Sequence, residues 1–525
     1  MGNISLLDCT LRDGGYINDW NFGEDAIKGT INKISLSGID MLELGFIKGT
    51  VCNPNRTLFP STSDIDSITN GINVNTMFVA MLDMSNPVEK DKIAPTSQTS
   101  LDGIRVIFKK NKIDEAFDYC EYISKLGYKL FVNLVNTEQY SDGELVSCIN
   151  KFQQLKPYAF TIVDTFGVIK KNQFLHIASI FDRELDPSII LGYHAHNNLQ
   201  QAFGNAEAFV EMNLERDIYI DACVFGMGRG AGNLNIELFA EYLNENYDKN
   251  YRIEPLLEIM DEYLSEIYKT KFWGYSLPLY LSARHGCHPN YAIYLAEKDS
   301  LTEKMFDEVL SNISSEDKLV FSKEKAELYY QQYMENYIDD KDAILKLSNE
   351  LSNKSIVLLA PGTTLKDNVT KIKAIIDENN SKVIAVNFLA NEFNPDFVFS
   401  SNMRRYVKMQ SITSAKRITT SNMRSDNTDY VINFSSYSLK SSDIIDNSGL
   451  MLLNLLIKLG VKEVYIAGMD GYSSNQNYYD KQYEYDFSTE IKLSNRNELI
   501  SSELNRLSKQ MKINFITPTN YVFEN

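Results

Sequence analysis

Two short stretches carry the residue types needed to hold a metal ion. The first is Asp8-Cys9-Thr10-Leu11-Arg12-Asp13-Gly14-Gly15, where an arginine and a carboxylate stand side by side just after an apolar run. The second is Tyr193-His194-Ala195-His196-Asn197-Asn198. Side chains two apart in a strand share a face, so His194 and His196 point the same way. One carboxylate and a His-x-His pair at two strand ends make a three-ligand divalent site with positions left open. A 2-oxo acid can fill two of those positions through its keto and carboxylate oxygens. The enolate made when a carbon–carbon bond breaks or forms beside the keto group is then stabilised by the cation, and Arg12 can donate to the same oxygen. Asp13, His194 and His196 are the expected ligands, and aldol or Claisen chemistry is the expected reaction type.

These residues need elements that bring them to one place. From residue 1 to about 290, short apolar runs alternate with amphipathic stretches. Strands are expected at Ile4–Asp8, Met41–Gly45, Thr76–Met81, Gly103–Phe108, Lys129–Leu134, Ala159–Asp164, Ile189–His194 and Asp221–Phe225. Helices are expected at Glu24–Leu36, Lys112–Leu126, Ser141–Leu155, Gln173–Leu185 and Leu199–Glu211. Eight strands with crossovers between them is the count of a (β/α)8 TIM barrel, which builds its site at the strand C-termini. Arg12 and Asp13, Asp164 and Thr165, His194 and His196, and the loop Gly226–Asn233 all fall at or just after strand ends.

A chain of 525 residues is too long for one core. The expected division is a barrel over 1–290, a helical extension and linker over 291–350, and a Rossmann-like doubly wound α/β domain over 351–525. In that last part Ile356–Ala360, Lys382–Val386, Asp396–Ser400 and Val464–Gly471 read as strands, while Lys366–Glu378 and Leu450–Leu459 read as helices. The turn Pro361-Gly362-Thr363-Thr364 lies between a strand and a helix, where free N–H groups suit a phosphate. It is not a full phosphate-loop motif and serves equally as a plain N-cap turn. Asn475–Phe487, rich in Tyr and Asp, is expected to be a surface excursion.

The formal net charge of −18 argues against nucleic acid or an anionic membrane as the main partner. The most apolar stretch, Leu450–Leu459, is too short to span a bilayer. The six cysteines are scattered without a CxxC, as in a reduced cytoplasmic protein. The first residues lack a basic, then apolar, leader, so no signal peptide is expected.

The four strand-end motifs resemble those of the DRE-TIM metallolyase superfamily, which includes 2-isopropylmalate synthase, homocitrate synthase, 3-hydroxy-3-methylglutaryl-CoA lyase and 4-hydroxy-2-oxovalerate aldolase. Asp8–Gly15 resembles the family signature, His194–Leu199 its histidine motif, Phe225–Asn233 its glycine loop and Asp164-Thr165-Phe166-Gly167 a further recurrent motif. The resemblance implies Arg12 as enolate stabiliser, Asp13, His194 and His196 as ligands, and Asn233 as a weaker fourth contact. Asn198 is similar to the aldolase branch, and the cysteine-bearing loop of the acyl-CoA lyases is absent. Where the hydroxy-oxovalerate aldolases place a histidine base soon after the Arg-Asp turn, this chain has Tyr16. The base candidates are His288, His285 and Tyr16 in that order, because imidazole titrates nearest neutrality. Both histidines lie in the aromatic stretch Trp273–Tyr291, which reads either as a helix pair covering the barrel or as a lid.

The second domain is similar, through Ala360-Pro361-Gly362-Thr363 and Ile466–Gly471, to Rossmann-like domains of nucleotide-sugar transferases and pterin diphosphokinase-like proteins. The resemblance implies a nucleotide or nucleotide-sugar ligand at Pro361, Gly362 and Thr363, and a place in surface-polysaccharide biosynthesis. The leading expectation is a metal-dependent lyase or aldolase acting through a pyruvate-type enolate, with a keto acid and an aldehyde as substrates. Mn or Mg is the expected ion, Zn or Co the alternatives. The competing readings are an acetyl-CoA-dependent acyltransferase of the isopropylmalate-synthase kind and a non-catalytic scaffold with a nucleotide-binding tail. A homo-oligomer is expected on general grounds.

Overall fold

In a computed structural model of the chain, the first apolar run, Ile4–Asp8, is strand β1, the strand at which a parallel sheet closes. The structure describes residues 2–49, 51–69, 72, 75–298, 301–409, 414–423, 425, 427–441, 443–473, 477–480 and 490–523. Two units emerge, Met1–Pro289 and Asn290–Asn525.

In the first unit, β1 is followed by β2 (Met41–Ile47), β3 (Met77–Asp83), β4 (Gly103–Phe108), β5 (Lys129–Leu134), β6 (Ala159–Asp164), β7 (Ile190–Ala195) and β8 (Ile218–Ala222). Each pairs in parallel with its sequence neighbour, and β1 pairs with both β2 and β8, which closes an eight-stranded barrel. The strands are rich in Val, Ile, Leu and Phe because a parallel barrel buries both faces. Helices Glu24–Ser37, Ile113–Lys125, Asp142–Phe152, Lys171–Glu184, Ala202–Glu211 and Ile236–Asn246 are amphipathic crossover helices. Ser141 and Glu144 start one of them with a reciprocal capping box.

One strand lies three residues earlier than its expected place of Asp221–Phe225. Pairing with β1 sets its start, with Ile4 opposite Ile218 and Leu7 opposite Asp221. Its end is set by Thr10, whose Oγ1 accepts the Val224 N–H at 2.8 Å. Phe225 then turns in the left-handed region at φ 52°. The Arg-Asp segment is also more than a turn, since Thr10–Asp13 forms one turn of helix.

In the second unit, helices that include Glu303–Ser311, Lys323–Met334 and Lys341–Leu351 precede a parallel sheet. Its strands are β9 (Ile356–Leu359), β10 (Lys382–Val386), β11 (Phe397–Ser400), β12 (Lys416–Thr420), β13 (Tyr430–Ile432), β14 (Glu463–Ala467) and β15 (Lys512–Phe515). The spatial order is β13-β12-β11-β10-β9-β14-β15. The order reverses between β9 and β14, the switch point beside which open α/β sheets bind ligands. The expected helix from Lys366 is 3-10 over Thr363–Asn368 and α-helical only over Val369–Glu378. Most of Asn475–Phe487 lies outside the described residues. Among the described residues, no helix is long and apolar enough to cross a membrane.

Candidate metal centre

The helical turn after β1 is held by Asp8, whose carboxylate accepts the Thr10 N–H at 3.0 Å and the Thr10 hydroxyl at 2.7 Å. Burial pushes the Asp8 carboxyl up to about 7, against the two hydrogen bonds from Thr10. The turn delivers Arg12 and Asp13, both buried, to the carboxyl end of the barrel. Arg12 Nη1 donates to Asp13 Oδ1 at 2.8 Å and Arg12 Nε to Glu43 Oε2 on β2 at 2.7 Å.

From Glu43 a run of buried charges crosses the barrel lumen. Arg105 Nη1 on β4 lies 3.0 Å from Glu43 Oε2, and Arg105 Nη2 donates to Asp221 Oδ2 on β8 at 2.5 Å. Strands β4 and β8 are opposite each other in the barrel, so their side chains meet only through its interior. Asp221 Oδ2 also accepts from His194 Nδ1 at 2.9 Å. This bond leaves His194 Nε2 facing Asp13 Oδ2 at 3.8 Å, while His196 Nε2 stands 3.7 Å from the same oxygen.

One ligand atom from each of Asp13, His194 and His196 lies within 4.8 Å of the other two. Ligands about 2.1 Å from a common ion lie roughly 3–4 Å apart, so the side chains need only small shifts to share one. The protonation states fit as well. Burial raises the Asp13 carboxyl, but Arg12, His196, His194 and the Asn233 amide outweigh it and hold Asp13 below the ordinary carboxylate range. Burial brings His196 down to about 4 against the pull of Asp13, so its ring is neutral at pH 7 and has a lone pair to give. Asn233 Nδ2 donates to Asp13 Oδ2 at 2.5 Å. Asn233 Oδ1, His196 Nδ1 and Arg12 Nη2 are buried with no hydrogen-bond partner. A carboxylate, two imidazoles and an amide oxygen are a donor set suited to a divalent ion.

The surrounding loops are tied to one another. Asn198 Nδ2 donates to Phe166 O at 2.9 Å and Asn198 Oδ1 accepts the Ala231 N–H at 2.7 Å. This joins the loops after β6 and β7 to the glycine loop. At Gly228 a Cβ would come within 2.3 Å of Asn233 Nδ2 and 3.1 Å of Asp13 Oδ2, so only glycine lets the loop pass this close. Trp273 Nε1 donates to Phe225 O at 3.0 Å, so the aromatic stretch reaches the same loop.

The base candidates separate. Arg229 Nη2 contacts His288 Nε2, and its guanidinium lies over the Tyr16 ring, 5.4 Å from the centroid. Burial, with Arg229 and Lys109, pushes the His288 ring down to about 3. Burial, and then Asp13, raise the Tyr16 hydroxyl. Arg229 thus brings Tyr16 and His288 together at the mouth, whereas His285 caps the C-terminus of helix Leu277–Arg284.

At the switch point of the second unit, Gly362 N donates to Gly468 O at 3.0 Å beside Pro361 and Thr363. The Asp470 carboxylate accepts the Thr364 N–H at 2.9 Å, the Thr363 hydroxyl at 3.1 Å and the Thr364 hydroxyl at 2.5 Å.

Sequence reasoning assigned no role to Glu43, Arg105 or Asp221. The signal was present: each is a lone charge in an apolar run, and a charge buried in a barrel strand requires a partner.

The barrel and its ring of strand-end residues define a class. Residues 3–261 match the HMGL-like family model, and the N-terminal unit is an HMGL-like domain, as the motifs led us to expect. Among its relatives, 4-hydroxy-2-oxovalerate aldolase 2 of Salinispora arenicola is 24% identical over 262 residues, which is 49% of this chain and 74% of that protein. Oxaloacetate decarboxylase of Mycobacterium tuberculosis is 21% identical over 240 residues, 44% of this chain and 67% of that protein. The N-terminal domain of a candidate aldolase from Bacteroides vulgatus superposes with a TM-score of 0.48 at 24% identity, covering 56% of this chain and 96% of that one.

Proposed function

We propose that the barrel is a divalent-metal-dependent carbon–carbon lyase of the aldolase kind, acting on a 2-oxo acid of the pyruvate type. The carrying observation is the ion-pair path Asp13–Arg12–Glu43–Arg105–Asp221–His194, which ends on both sides of one point. Asp13, His194 and His196 would hold the ion and Asn233 would add a weaker contact, with Mn or Mg the favoured ion. When bound, the ion supplies Lewis-acid polarisation of a keto oxygen.

The chain's own residues do the rest. Arg12, with Nη2 unpartnered, donates to the oxygen that gains charge as the carbon–carbon bond changes. Glu43 and Asp13 fix its guanidinium, and Asp221 fixes the His194 tautomer. His288 is our first candidate to take a proton, from the pyruvate methyl group in the condensing direction. Because burial and Arg229 hold its ring down to about 3, it must be released from Arg229 to act as a base. Tyr16 keeps its phenolic proton and is placed to donate it. In that direction the methyl carbon loses a proton, forms a bond to the aldehyde carbon, and the aldehyde oxygen gains a proton. The relatives' activities as named, aldolase and decarboxylase, support a reaction beside a keto group.

We divide the chain functionally into this barrel, a helical linker over 291–350 and a nucleotide-sugar-binding domain over 351–525. Pro361, Gly362 and Thr363 at the switch point are its ligand contacts, and the setting we infer is cytoplasmic surface-polysaccharide biosynthesis. Because Asp470 holds the Thr364 N–H, a phosphate must displace this carboxylate or meet it through a cation. Calorimetry of the whole chain with UDP-, CDP- and GDP-sugars tests this part, and no heat with any of them removes it. The lyase reading is tested by metal analysis with pyruvate in deuterium oxide. Metal-dependent labelling of the methyl group supports it, and unlabelled pyruvate in the loaded protein overturns it.

A further inference from the structure

Arg229 stands at the mouth of the barrel without an anionic partner. Its neighbours are aromatic or neutral: the Tyr16 ring below and the His288 imidazole at Nη2. Among the described residues, no carboxylate lies within ion-pair distance of it. Two more cations face the same mouth. Lys48, just after β2, lies 6.0 Å from the centroid of the Phe46 ring, and Lys109, just after β4, acts on His288. Phe46 packs edge-on against Tyr16 at 6.3 Å, so these groups form one patch. Neither lysine has a carboxylate within ion-pair distance among the described residues. An acid that acts on Tyr16 from outside the metal centre is Asp83, whose Oδ1 accepts the Ser85 N–H at 2.7 Å. A protein with a formal charge of −18 thus leaves a positive mouth over its barrel.

We propose that Arg229 binds an anionic group, a carboxylate or a phosphate, on the aldehyde that the lyase condenses or releases. Guanidinium presents paired N–H groups to the paired oxygens of such an anion. Only one of the Arg229 amino groups is engaged by the protein. The flanking glycines, with Gly230 at φ +67°, hold the loop close against Asn233 and Asn198 and so fix where the side chain starts. This assignment rests on the lyase reading and narrows it to charged acceptors.

The test uses the whole Mn-loaded chain with pyruvate and three aldehydes: propanal, succinic semialdehyde and glycolaldehyde phosphate. One anionic aldehyde is expected to exceed propanal in kcat/KM by about 10- to 100-fold, the scale of one charge-assisted contact. Which anionic aldehyde it is identifies the carboxylate or the phosphate. In Arg229→Gln that ratio collapses toward one, and Arg229→Lys restores part of it. A ratio cancels any loss common to all aldehydes. Equal use of neutral and anionic aldehydes, or an unchanged ratio in Arg229→Gln, overturns the proposal. If pyruvate is not enolised at all, the lyase reading fails by itself. The arginine is then judged by calorimetry of inorganic phosphate and succinate on chelator-treated protein. Binding at least tenfold weaker in Arg229→Gln upholds an anion site, and equal binding removes it.

Discussion

His194 Nδ1 donates to Asp221 Oδ2 at 2.9 Å, and this bond decides which nitrogen of His194 faces Asp13. Asp221 is fixed in turn by Arg105 from the opposite wall of the barrel. Partners behind a ligating histidine commonly change metal affinity by about 10- to 100-fold when altered. Asp221→Asn, which removes the charge that holds the imidazole N–H, is expected to lose that much affinity in a metal titration. An unchanged affinity would mean that the orientation of His194 does not depend on Asp221.

Arg12 joins Glu43 and Asp13 with two different nitrogens. A lysine has one nitrogen and a flexible stem, so Arg12→Lys cannot keep both contacts and still reach a substrate oxygen. The expected loss in kcat is about 10²- to 10³-fold, the scale of one missing donor to a developing oxyanion. Steady-state kinetics together with a metal titration check it: kcat falls while one ion is still bound.

Gly228→Ala puts a methyl group on Asn233 Nδ2 and against Asp13 Oδ2. Metal binding should drop with little change in far-ultraviolet circular dichroism. Retained metal binding would show that the glycine loop has room to retreat.

Glu138 and Asp164 provide a pH prediction. Burial, helped by Asp164, raises Glu138 from 4.5 to about 8, and burial raises Asp164 from 3.8 to about 7. Raised carboxyls favour the folded state while protonated. Their contribution is therefore complete below about pH 4 and is lost as pH rises through about 7 and 8. The wild-type Tm should fall between pH 6 and pH 9, and Glu138→Gln should flatten that fall. Equal slopes for the two proteins would count against a protonated Glu138.

Much of this was readable from residue order, for a physical reason. A strand buried on both faces must be mostly apolar, so Gly103–Phe108 and Lys129–Leu134 stand out with their true bounds despite Arg105 and Asn133 inside them. His194 and His196 share a face by the geometry of any strand. The seam of the barrel was less legible, because the position of Ile218–Ala222 comes from pairing with Ile4–Asp8 more than two hundred residues away. The partners of Glu43, Arg105 and Asp221 were hidden for the same reason. A lone buried charge announces that it has a partner but not which strand supplies it. In the second unit, Thr363 and Thr364 read equally as a phosphate turn or a plain N-cap turn, and their bond to Asp470, over a hundred residues downstream, was not legible.

The most direct measurement is an anomalous difference map from crystals of the chain soaked in manganese. One strong peak is expected in the first unit, about 2.0–2.3 Å from an Asp13 carboxylate oxygen, His194 Nε2 and His196 Nε2. A map with no peak there, or with those imidazoles turned away from a peak elsewhere, would contradict the metal centre and the lyase chemistry built on it.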